Sequence, residues 1–124
     1  MFRLYFFMMK RLIFFVATIF LISNVNAFAA EKKGILDKIR EDYGKPLRVN
    51  SGYRSKAHNL KVGGRVGSSH LKGLAVDFHC NNSADRTLLL NAIYKNGIVR
   101  VGIGNTFIHI DIDNIKPAAC WLYN

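Results

Sequence analysis

The first thirty residues set the size of anything this chain can fold into. Lys10 and Arg11 precede an apolar run from Leu12 to Ile22, and Ser23-Asn24-Val25-Asn26-Ala27-Phe28-Ala29 follows with several small residues. A basic start, a short apolar stretch and a small-x-small ending make a secretory signal peptide, with cleavage expected after Ala27 or Ala29. The alternative is an uncleaved membrane anchor, for which the run is short, since a spanning helix needs about 20 apolar residues. No cysteine stands at the cut, which argues against a lipid anchor. Residues 1–29 are thus read as the leader and 30–124 as one domain. A domain of about 95 residues has room for one modest core.

All eight acidic residues lie after Ala30, whereas Arg3, Lys10 and Arg11 precede it. Losing those three takes the formal charge from +10 to +7, fifteen basic residues against eight acidic ones. Such a surface attracts anionic partners over long range. For an exported chain these are a membrane surface or an anionic cell-wall polymer. A nucleic-acid binder is disfavoured, because the aromatic residues are scattered and no RNP, helix-turn-helix or zinc-finger pattern is present. Cys80 and Cys120 are the only cysteines. An even count in an exported small domain favours a disulfide between them. A thiolate metal site is the alternative, without the CxxC spacing that would support it.

Apolar periodicity then lays out the elements. Ile35, Leu36, Ile39 and Tyr43 fall at helical spacing, and Gly44 with Pro46 ends that helix. Leu47 to Asn50 reads as a short strand, and Ser55 to Ser69 as a long polar, glycine-rich loop of the kind that is functional or disordered. Leu74 to His79 reads as a strand with Leu74, Val76 and Phe78 on one face and Ala75, Asp77 and His79 on the other. Ser83 is the expected cap of a second helix whose buried side is Leu88, Leu89, Ala92 and Ile93, stopped by Asn96-Gly97. Ile98 to Ile103 and Thr106 to Ile112 pair as a hairpin across Gly104-Asn105. The class is α+β: a small antiparallel sheet with about two packed helices.

Three residues on these elements suit zinc. His70 ends the long loop, Asp77 rises from the strand after it with Gly73 between them, and His109 enters from the hairpin. Catalytic zinc sites use three such protein ligands and leave a fourth position for water. Taken singly, each has a blander reading: a strand His is usually packed, and a strand Asp often caps a loop. Asp111 shares a strand face with Phe107 and His109. It reads either as a general base or as a residue orienting a ligand imidazole. Another registration makes Asp111 the ligand and His109 the base. His58 reads as structural or substrate-facing, His79 is left outside the site, and Ser68 and Ser69 are expected to orient it through their hydroxyls.

The order Ser51-Gly52-Tyr53-Arg54-Ser55, His58-Asn59 with Val62-Gly63-Gly64, Ser68-x-His70-x-x-Gly73-x-Ala75-x-Asp77, Gly102-x-Gly104 and Phe107-x-His109-x-Asp111 resembles the M15 family of zinc peptidases. The likeness is to its D-Ala-D-Ala carboxypeptidase-like branch, within the wider group that shares the hedgehog signalling fold, and spans residues 35 to 113. It implies the hedgehog/DD-peptidase fold, zinc on His70, Asp77 and His109, and Arg54 on a substrate carboxylate or developing oxyanion. Asp111 is the candidate proton acceptor, because Phe107 and Thr106 stand where relatives often carry a catalytic His or Glu. The implied protein is a monomeric, secreted or periplasmic zinc metallopeptidase. It would cut peptidoglycan stem peptides, as a D,D-carboxypeptidase or endopeptidase. The rival reading is a zinc-containing module of the same fold that binds cell wall or protein without turnover.

Overall fold

The computed structural model describes residues 2–124. Helix α1 (Phe2–Tyr43) runs through two compact units, Met1–Asp37 and Lys38–Asn124. The expected leader lies in the first of these. No helix among the described residues is long and apolar enough to cross a membrane.

The second unit is built on a five-stranded sheet: β1 (Val49–Ser51), β2 (Ala75–His79), β3 (Arg100–Ile103), β4 (Phe107–Asp111) and β5 (Ala119–Leu122). Their order across the sheet is β1-β2-β4-β3-β5. β1, β2, β4 and β3 pair antiparallel, as the sequence pattern implies, and β5 joins β3 in parallel. That fifth strand was not foreseen. Ala119-Cys120-Trp121-Leu122 is short, follows Pro117 and has no apolar alternation to announce it.

The β2 faces divide as the alternation predicts. Val76 and Phe78, with Val101, Ile108 and Ile110 of the neighbouring strands, are fully buried with Ile39, Leu89, Ala92 and Ile93 from the helices. Burying one such side chain contributes about 1.5–3 kcal/mol, so this layer holds the sheet flat against its helices. The opposite face carries the polar residues.

α1 ends where Gly44 takes φ 72°, and the Gly44 N–H caps the Arg40 carbonyl. α3 (Ser83–Lys95) is capped by Asn82, not by Ser83: the Asn82 side-chain oxygen accepts from the Asp85 N–H at 2.8 Å. Asn and Ser are equally good caps, so adjacent candidates were not separable by type. Leu88 is 46 % exposed and lies off the buried stripe of Leu89, Ala92 and Ile93.

The segment read as loop contains α2 (Lys56–Lys61), whose N-terminus Ser55 caps by accepting from the His58 N–H. Only Asn59 of this helix is buried, so no apolar stripe marked it. A 3-10 turn, Ser69–Lys72, follows and closes on Gly73 at φ 69°.

The expected disulfide is absent. Cys80 is a buried free thiol and Cys120 an exposed one. Cys120 lies on β5, three strands from β2, and strands are spaced about 4.8 Å apart, whereas bridged Cα atoms stay within roughly 7 Å.

Candidate metal centre

Register builds the site. Ser51 pairs with Asp77, Asp77 with His109, His109 with Gly102, and Gly102 with Trp121. One row thus crosses all five strands, and directly paired residues project from the same face. His70 is brought to this row by the 3-10 turn, held by its backbone: the His70 N–H donates to Ser68 Oγ, and its carbonyl accepts from the Arg54 N–H at 3.0 Å.

The three predicted ligands converge, and all are buried. His109 Nδ1 lies 2.8 Å from Asp77 Oδ1 and 3.2 Å from His70 Nε2, and His70 Nε2 lies 3.3 Å from Asp77 Oδ2. Tetrahedral zinc with bonds near 2.0–2.1 Å sets its ligand atoms roughly 3.3 Å apart, close to this triangle. His70 Nδ1 is 2.6 Å from the Gly52 carbonyl oxygen. A carbonyl only accepts, so Nδ1 carries the proton and Nε2 turns a lone pair to the triangle, as in histidine ligands whose far nitrogen is held. The donor set therefore fits a borderline-soft divalent metal. Burial pushes the Asp77 carboxyl up, but the His109 and His70 rings set against it outweigh that and hold the group well below the usual carboxylate range.

Arg54 stands beside this cluster. Its Nη2 donates to Asp77 Oδ2 at 2.7 Å and its Nε to Ser51 Oγ at 2.8 Å. One of the five guanidinium donors thus orients the Asp77 carboxylate and a second is held by Ser51, and the side chain also lines the cleft.

Asp111 is placed differently from the other predicted residues. Its Oδ2 accepts from Ser69 Oγ at 2.8 Å and Arg100 Nε at 3.2 Å, and its Oδ1 accepts from the Asp113 N–H at 2.8 Å. Its partners are the turn that carries His70 and a neighbouring strand, not an imidazole. Ser69 and Ser68 orient the turn as expected, Ser69 also accepting from Lys116 Nζ at 2.7 Å. His58 is exposed on α2, and His79 lies on the Asp77 face outside the triangle.

Sequence reasoning missed four contributors: the Gly52 carbonyl, Arg100, Asp113 and the aromatic pair Trp121 and Tyr123. The Trp121 ring lies 5.4 Å from the His109 ring, with Arg100 Cζ 5.5 Å over its face. Tyr123 lies 5.0 Å from Phe107 and 6.3 Å from His109. The Gly102-x-Gly104 motif was the available signal, because both glycines turn out to be places where rings lie on the backbone. The HNxxVGG motif has a similar cause: a Cβ on Gly64 would lie 2.0 Å from Asn59 Oδ1.

A comparison of the chain with curated proteins finds no match. The family model described as Peptidase M15 matches residues 15–111, a span that contains His70, Asp77, His109 and Arg54. With that match over most of its length, the chain belongs to the peptidase M15 family of metallopeptidases.

Proposed function

We propose that the protein is an exported zinc metallopeptidase that hydrolyses peptidoglycan stem peptides, as a D,D-carboxypeptidase or endopeptidase. The observation that carries this is the buried His70-Asp77-His109 triangle, with His70 Nδ1 pinned by Gly52. Export rests on the N-terminal leader pattern, and the anionic polymer on the net charge of the remaining chain.

Zinc in such a site supplies Lewis-acid polarisation of a peptide carbonyl and a more acidic water. The chain's own groups do the rest. His70 presents Nε2 because its other nitrogen is occupied, and Asp77 is aimed by Arg54. The cleft, with a volume of 1110 Å³, is walled by Arg54, Arg65, Arg100 and Lys116 against Asp77 and Asp111. This surplus of cations suits a peptide that carries a free carboxylate, and the planar fork of Arg54 is the group nearest the triangle to meet it.

One observation favours the rival module without turnover. Both oxygens of Asp111, the expected proton acceptor, are already engaged by Ser69, Arg100 and the Asp113 N–H. Purified protein, metal analysis and muropeptides separate the two. One zinc per chain, with cleavage abolished by chelator and by His109→Ala, is the expected result. Stoichiometric zinc without cleavage establishes the module, and protein without stoichiometric zinc removes both.

A further inference from the structure

β5 lies wholly beyond residues 15–111, the span of the family match, yet it and the residue after it bring two rings, Trp121 and Tyr123, close to His109 of the triangle. Trp121 is in the same cross-strand row as His109, with only Gly102 between them. No side chain fits there unless the rings move: a Cβ would lie 2.5 Å from Tyr123 Cε2 and 2.7 Å from both Trp121 Cε2 and Nε1. Gly104 repeats the arrangement, since a Cβ would lie 2.3 Å from Phe107 Cε1. Phe107, Trp121 and Tyr123 are thereby laid flat along the sheet instead of standing off it.

All three rings line the cleft, and Tyr123 is still 41 % exposed. A cluster that served only to cover His109 would have its apolar faces turned inward. Here open aromatic surface borders the triangle. Arg100 Cζ lies 5.5 Å over the Trp121 ring and helps hold it in place.

We infer that Phe107, Trp121 and Tyr123 form an aromatic shelf that contacts the substrate and takes an apolar side chain next to the scissile bond, with Gly102 as the seat of the shelf. The inference rests on the peptidase reading above. The shelf contributes contact made equally before and during reaction, so its loss raises KM and leaves kcat largely unchanged.

The test uses the full chain loaded with zinc, with purified muropeptides as substrate. Gly102→Ala, which displaces the rings, and Trp121→Ala, which removes one, should each raise KM roughly threefold to tenfold, the scale of one or two buried methyl groups. Each variant should keep kcat within about twofold of wild type and one zinc per chain. Trp121 is the sole tryptophan, so its emission in wild type should also shift as muropeptide is added. Wild type that cuts muropeptides while both variants keep its KM overturns the shelf alone. So do variants that lose zinc in place of affinity, and so does unmoved Trp121 emission at saturating substrate. Wild type that holds zinc and leaves muropeptides uncut overturns the cell-wall reading, and the shelf with it.

Discussion

Arg100 and Asp111 form a buried ion pair at 3.2 Å, with side-chain exposures of 15 % and 3 %. Removing one partner of such a pair leaves the other charge uncompensated, which costs about 3–5 kcal/mol. Asp111→Asn is therefore expected to lower the melting temperature sharply, while zinc binding at saturating metal persists because none of the three ligands is touched. Thermal melts alongside metal analysis check this. A variant that melts like wild type yet no longer cleaves would restore Asp111 as the proton acceptor. The contrast with His70 shows what residue-level reading reaches. His70, Asp77 and His109 were legible because metal ligands must be His, Cys or carboxylate, a small alphabet. The role of Asp111 was not, because its strand face was readable but its partners, Ser69 and Arg100, come from segments whose approach only the fold determines.

Elements were legible in proportion to their apolar stripe. β2, the β3–β4 hairpin and α3 each bury a periodic face, and each lies within a residue or two of expectation. α2 buries Asn59 alone and β5 alternates half-buried with exposed positions, so neither could be read. The crossing from β4 to β5 carries one buried carboxylate, Asp113. Asp113 accepts from Lys72 Nζ at 3.0 Å, with Lys116 Nζ at 3.8 Å. Burial pushes the Asp113 carboxyl up, but the hydrogen bond and charge of Lys72 override it and hold the group below its ordinary value. A carboxyl depressed in the fold adds stability that is present above its unfolded pKa, about 4, and is lost as the pH falls through the folded value. Asp113→Asn should therefore be less stable than wild type at pH 7, and the gap should narrow in melts carried down below pH 4. A gap that stays constant across that range would show that the pair does not stabilise this crossing.

At the scale of the whole Lys38–Asn124 unit, the candidate ligands are spread over parts of the chain that meet only when the sheet is complete. His70 comes from a turn, Asp77 from β2 and His109 from β4, and Arg54 ties the loop after β1 to both Asp77 and His70. An unfolded chain has no such triangle, so metal binds the native state almost alone and its binding free energy appears as folding stability. At a free zinc concentration a thousandfold above the dissociation constant, the gain is about 4 kcal/mol. For a unit of 87 residues, Lys38–Asn124, each 1 kcal/mol moves the melting temperature by roughly 4–8 °C. Chelation should thus lower the melting temperature by roughly 15–30 °C. Zinc should restore it in a concentration-dependent way. His109→Ala should melt near the chelated wild type and respond weakly to zinc, because one corner of the triangle is gone. Arg54→Ala should keep most of the zinc response, since the guanidinium aims Asp77 without being a ligand. If Arg54→Ala abolishes the response as fully as His109→Ala does, the arginine is required for the site to exist. Its assignment to the substrate carboxylate then loses its basis.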